Sequence, residues 1–262
     1  MDLDLSGKRA LVCGASAGIG RACAVELAAL GASVTLAARN AEKLAAVRAS
    51  LPVKPGQTHD VWVVDLSKPA AVRAEVGALL ARGGAFHILI NNTGGPTPGR
   101  AIDTAPEAFV AGFESLLLTP HVLVQALAPG MGEAKYGRII NITSTSVKQP
   151  IPNLAVSNAV RAATANWAKN LSQELGPLGI TVNNILPGYT DTERLTEIFE
   201  ARAKRTNSSA DAAREETIGS IPVGRLGRPE EIAAAVAFLA SPAAAYISGI
   251  NMPVDGGRLA TL

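Results

Sequence analysis

The chain has 262 residues, enough for one large α/β domain or two smaller ones, and its 48% apolar and 18% charged composition is that of a packed globular protein. Its 24 basic and 22 acidic residues leave a net charge of +2 with no long run of either sign, which excludes the electrostatic footprint of a nucleic-acid or anionic-membrane binder. Cys13 and Cys23 match no zinc or haem spacing, so no metal is expected, and the acidic start MDLDLSGKRALV, with no long uninterrupted apolar run, predicts a soluble cytoplasmic protein.

In chain order, a β-branched run at 9–16 (RALVCGAS) predicts the first strand and 19–30 the first helix. Strand 33–39 (SVTLAAR) precedes helix 41–50, strand 60–66 (DVWVVDL) precedes helix 69–81, and strand 87–94 (HILINNTG) precedes helix 106–128. Strand 137–144 (GRIINITS) leads to helix 155–175, strand 180–188 (ITVNNILPG) is followed by a long polar excursion and helix 229–240, and NMPVDGG at 251–257 closes the series. Continuous apolar strands alternating with helices predict a doubly wound, seven-stranded parallel sheet with helices on both faces, a single-domain Rossmann fold over 1–262. No linker rich in Pro, Gly or Ser divides the chain. The excursion from Thr190 to about Arg228 is longer than an ordinary connection and follows a strand's carboxyl end, which favours a substrate lid over a merely solvated helical segment.

CGASAGIG sets Gly14, Gly18 and Gly20 in G-x-x-x-G-x-G spacing between a strand and a helix, where backbone can approach a pyrophosphate and the helix N-terminus offers unpaired N–H groups. Further polar features stand at the ends of successive strands, where open α/β sheets bind ligands: Arg39, Asp65, the NNTG run through Gly94, Ser144, and PGYTDT from Pro187 to Thr192. The three histidines, His59, His87 and His121, read as structural or surface residues, and Tyr189 as a packing residue of its loop.

The order of these motifs resembles the short-chain dehydrogenase/reductase family, especially members akin to 3-oxoacyl-acyl-carrier-protein reductase, from Gly14 to the closing YISGINMPVDGG. The resemblance implies that the turn holding Gly14, Ser16, Ala17, Gly18, Ile19 and Gly20 binds the pyrophosphate of a nicotinamide dinucleotide, and that Asp65 and Leu66 lie against the adenine. It places Asn92, Thr93 and Gly94 beside the adenosine ribose, and Pro187, Gly188, Thr190 and Thr192 on the nicotinamide side. An acidic residue ending the second strand would repel a 2′-phosphate; Arg39 stands there instead and would pair with it, favouring NADP(H) over NAD(H).

Family members work with a Ser-Tyr-Lys set and a supporting Asn. Ser144 matches the serine, whereas the asparagine position falls at Ser115. Two pairs at i, i+4 compete for the Tyr and Lys positions, Leu154 with Asn158 and Ser157 with Arg161, each sharing one helical face. The family's usual spacing from Ser144 reaches Ser157 and Arg161 without a gap and keeps Lys169 and Glu174 as downstream landmarks, so this register is taken. An aliphatic hydroxyl is far less acidic than a phenol with its pKa of about 10, and an arginine stays protonated, so cofactor binding is better preserved than proton transfer.

The expectation is an NADP-dependent oxidoreductase acting on a carbonyl or alcohol of a small-molecule substrate. Its rival is a redox-inactive nucleotide-binding sensor or assembly protein on the same fold. The apolar helix and closing strand at 229–257 resemble the region through which family members form homodimers or homotetramers.

Overall fold

The computed structural model describes residues 1–261. Seven parallel strands, β1 Arg9–Cys13, β2 Ser33–Ala38, β3 Asp60–Val63, β4 Ile88–Asn91, β5 Gly137–Ile142, β6 Ile180–Pro187 and β7 Asn251–Val254, form one sheet in the order β3-β2-β1-β4-β5-β6-β7. The order reverses between β1 and β4, which opens a crevice above the strand carboxyl ends, the place where doubly wound sheets bind ligands.

Alternation along the buried strands supplies two cores. Ala10 and Val12 of β1 face one side with Val34, Leu36, Ile88, Ile90 and Ile140, covered by α1 (Gly18–Ala29), α2 (Ala41–Ser50) and α9 (Pro229–Ala240). Leu11 and Cys13 face the other with Leu89, Ile139 and Val182, covered by α3 (Pro69–Gly83), α5 (Thr119–Glu133) and α6 (Ala155–Leu175). Both cysteines are fully buried free thiols, and burial raises each to a pKa of about 12, so neither offers a reactive thiolate.

The strands end earlier than the sequence predicts. Residues 14–16, 92–94 and 143–144 have left the ladder and form the loops of the crevice. The helix expected over 106–128 is divided into α4 (Pro106–Phe113), a π-helical turn at Glu114–Leu118, and α5. Pro120 brings no N–H to the carbonyl of Leu116, which accepts instead from Thr164 Oγ1 at 3.2 Å. The run Pro106–Glu133 is long and apolar enough to cross a membrane, a property its interrupted apolar stretches do not suggest. Here Leu123, Leu127 and Met131 on α5 are instead buried against α3 and the sheet.

The excursion from Thr190 to Arg228 folds into α7 (Glu193–Thr206) and α8 (Ala210–Gly219), broken at Asn207 in the left-handed conformation and restarted by Ser209, whose hydroxyl accepts from Ala212 N at 3.1 Å. The two helices share a small core of Leu195, Phe199, Ala213, Ile221 and Leu226, onto which Tyr189 packs as expected.

Candidate active site

The first crevice loop is shaped by close packing. Gly14 adopts φ +60°, and a Cβ on Gly20 would lie 2.2 Å from the Gly14 carbonyl oxygen and 2.8 Å from Asn92 Nδ2. Ala17 caps α1 and has no side-chain oxygen, so the first-turn N–H groups keep no side-chain partner and a partial positive charge faces the crevice. Thr192, at the start of the excursion, lies over this turn, its methyl 3.3 Å from where a Gly18 Cβ would stand. Gly14, Gly18, Gly20, Asn92 and Thr192 are therefore one closely packed cluster at the N-terminus of α1.

At the ends of β2 and β3, Arg39 is exposed and Asp65 half-buried. The Ser67 hydroxyl and amide donate to the Asp65 carboxylate at 2.7 and 3.0 Å and, aided by the charges of Arg39 and Lys68, hold it below the usual carboxylate range. Leu66 is buried beside it. Gly94 lies on open space beyond β4, and Pro187 and Gly188 lie where β6 pairs with β7, with Gly188 N donating to Val254 O at 3.0 Å.

Of the two i, i+4 pairs on α6, Asn158 spends both polar ends on the backbone of Ile151, donating to its oxygen at 2.9 Å and accepting from its nitrogen at 3.3 Å. The other pair faces the end of β5. Arg161 Nε donates to Ser157 Oγ at 3.1 Å, while Arg161 Nη1 donates to the carbonyls of Ile142 and Thr143 at 2.9 and 2.8 Å. Burial, and secondarily the charge of Arg194, push the Arg161 pKa down to about 10, still a cation at neutral pH.

Ser144 follows Thr143 directly and caps a short 3-10 turn, its Oγ accepting from Ser146 N at 3.1 Å. Both Ser144 and Ser157 thus use their oxygens as acceptors, which leaves each O–H free to donate. Ser115 lies in the π-helical turn, and its hydroxyl donates to Gly112 O at 3.3 Å.

Arg161 lines a cavity of about 20 Å³, room for about one water, together with Asn91, Asn141, Thr164 and the apolar Leu116 and Ile142. Asn91 begins a row of buried amides that sequence reading missed. Asn91 Nδ2 donates to Asn141 Oδ1 at 2.8 Å, Asn141 to Asn184 at 2.9 Å, and Asn184 to Asn251 at 2.8 Å, linking β4, β5, β6 and β7 in register. The signal was an asparagine in each of these four strands, from the last residue of β4 to the first of β7. Arg194 of α7 was also missed; its Nη2 donates to the carbonyls of Gly95 and Pro96 at 3.4 and 3.0 Å, tying the excursion to the loop after β4.

The histidines are structural, as expected: the ring Nδ1 atoms of His87, His59 and His121 accept from Arg9 N, Val34 N and Trp167 Nε1.

Residues 14–258 match the family model described as enoyl-(acyl carrier protein) reductase. The chain is 36% identical to a 3-oxoacyl-[acyl-carrier-protein] reductase of Pseudomonas aeruginosa, over 97% of this chain and 98% of that protein. It is 32% identical to an NADPH-dependent reductase of Bacillus subtilis, BacG, over 98% of this chain and the whole of that protein. Among solved structures, L-sorbose reductase from Gluconobacter frateurii, crystallised with NADPH and L-sorbose, superposes with a TM-score of 0.93 at 32% identity over the full length of both chains.

Proposed function

Since the chain belongs to the short-chain dehydrogenase/reductase family, we propose that it is an NADP-dependent oxidoreductase for a carbonyl or alcohol group of a small molecule, with altered proton-transfer residues. The single observation that carries this reading is the Ser157–Arg161 pair, bonded to each other and to the end of β5 directly beside Ser144. The reductase relatives, two of them named with NADPH, support the cofactor and the direction of reaction.

The glycine-rich turn, from Gly14 through Ser16, Ala17, Gly18 and Ile19 to Gly20, fits a pyrophosphate because its glycines let β1 and α1 pack closely and the helix N-terminus lacks a side-chain cap. Asp65 and Leu66 border the adenine, Asn92, Thr93 and Gly94 the adenosine ribose, and Pro187, Gly188, Thr190 and Thr192 the nicotinamide. NADPH, when bound, supplies the hydride. Ser144 and Ser157 donate their free O–H groups to the substrate oxygen and polarise it. Arg161 holds Ser157 in place and adds fixed positive charge beside the nicotinamide ribose. No side chain here is a matched proton donor, so the alkoxide oxygen left by hydride transfer takes its proton from solvent, and the hydroxide formed is neutralised by the bulk buffer. Ser115 stands at the position of the family's supporting asparagine, and with its O–H given to Gly112 its oxygen is left to accept from a water of the site.

The excursion at 190–228 acts as the substrate lid, hinged where Thr190 pairs with Gly227. Removing Arg194, which ties it to the β4 loop, is expected to raise KM for the substrate. On this reading the protein works in the cytoplasm as a homodimer or homotetramer, as its resemblance to the family suggests. The buried face of α9 covers its own sheet, so association falls to the open edge of β7, near the fully exposed Tyr246. Light scattering that finds only monomer would refute this.

The test is NADPH oxidation across ketones, sugars and oxoacyl thioesters. Turnover is expected, with Ser144→Ala lowering kcat by on the order of 100-fold. Tight NADPH binding with no oxidation of any substrate would overturn the enzymatic reading in favour of the redox-inactive one. Arg39→Ala is expected to weaken NADPH binding by about 10- to 100-fold and leave NADH binding unchanged, as losing charged hydrogen bonds to a phosphate requires. Equal weakening of both, measured by fluorescence titration, would place Arg39 outside the 2′-phosphate site.

A further inference from the structure

Two guanidinium groups approach Gly95, in the loop after β4. Outside the adjoining residues, the nearest atoms to the point where its Cβ would stand are Arg194 Nη2 at 3.9 Å, Arg161 Nη2 at 4.0 Å and Arg194 Nε at 4.0 Å. No carboxylate pairs with Arg161 among the described residues, and Glu197 holds only the far edge of Arg194, through Nη1 at 3.1 Å. Two cations therefore meet on the same side of Gly95 without a carboxylate between them, an arrangement that a ligand oxyanion would complete.

Building on the reductase reading, we infer that Arg161 and Arg194 form a carboxylate-binding site that selects 2-oxo or 3-oxo acids as substrates. The spacing follows from the rigid, planar guanidinium of Arg161. Its Nε holds Ser157, which addresses the reacting carbonyl, while Nη2 of the same plane faces Gly95. A carboxylate at Nη2 therefore lies close to the carbonyl at Ser157, which suits acids whose oxo group is one or two carbons from the carboxylate. Arg194 sits on α7 and already bonds the Gly95 and Pro96 carbonyls, so a carboxylate bound there also draws the lid onto the β4 loop.

The test compares 2-oxobutanoate and 3-oxobutanoate with their methyl esters, which differ only in the anionic group. At least one acid is expected to exceed its ester by tenfold or more in kcat/KM. Arg194→Met should reduce that preference to below threefold, and Arg194→Lys should restore part of it. A preference near one in the wild type, or one that Arg194→Met leaves intact, overturns the inference. A tenfold loss of NADPH affinity in Arg194→Met with the acid preference unchanged would assign the site to a cofactor phosphate and likewise overturn it. Thermal unfolding of the NADPH-saturated protein separates this inference from the reductase reading. If nothing is turned over, a rise in Tm with the acids and not the esters, lost in Arg194→Met, upholds the carboxylate site while the reductase reading falls. Equal or absent shifts reject the site.

Discussion

Ser157→Tyr is expected to raise kcat by on the order of 100-fold or more, the usual contribution of a positioned general acid. In the wild type, Ser157 holds a proton it cannot release, and the neighbouring Arg161 Nε lies 3.1 Å from its oxygen. A tyrosine at the same Cα would bring a phenol with an ordinary pKa of about 10 beside that cation, which lowers it further. The variant should also acquire a pH dependence, its kcat falling as pH rises through the phenol pKa, because reduction requires the protonated form. Circular dichroism and NADPH titration would establish that the fold and the cofactor site are kept. A well-folded, NADPH-binding Ser157→Tyr protein whose kcat is unchanged would show that position 157 does not face the reacting oxygen.

Gly20→Ala should act at the other end of the crevice, and on stability as well as binding. One methyl there would sit 2.2 Å from the Gly14 carbonyl oxygen and 2.7 Å from its carbon, atoms of backbone that cannot swing aside. Relief requires α1 to move away from the β1 loop, and α1 is held by Cys23, Ala24 and Leu27, all fully buried. The expected cost is about 3 kcal/mol of stability, at the upper end of ordinary overpacking. NADPH affinity should drop by about 100-fold, since a displacement of the phosphate cradle by a fraction of an ångström disturbs every backbone contact it offers. Urea unfolding and fluorescence titration read the two effects separately, and near-native values for both would mean that the loop is not the rigid cradle described above.

Much of this architecture is legible before any coordinates. Helices 41–50, 155–175 and 229–240 match the observed α2, α6 and α9 to the residue, because each has an apolar stripe at helical period and an unambiguous start. The strands overrun because GAS, NTG and TS continue the small or β-branched pattern after the ladder has ended, and only hydrogen bonding to neighbours fixes that limit. The π-helical turn is invisible in an apolar stretch such as ESLLL; Pro120, which cannot donate to Leu116, is its one local sign. The glycine-rich turn, Arg39, Ser144 and the Ser157–Arg161 face are contiguous motifs and read directly. The asparagine row and Arg194 are not, because their partners lie from 43 to 99 residues away and meet only through strand register or the docking of the excursion.

The central claim is that nucleotide binding is kept while no group of the active site exchanges a proton near neutrality. Arg161 remains charged up to about pH 10, the two serine hydroxyls ionise far above that, and the histidines serve the scaffold. The most direct measurement is kcat for a neutral ketone substrate at saturating NADPH, followed from about pH 6 to pH 9. A profile that stays flat within about twofold is the expected result, since water delivers the proton throughout. An inflection inside that window, abolished by Ser157→Ala, would contradict it, because it would reveal an acid at the α6 face that serine and arginine cannot provide.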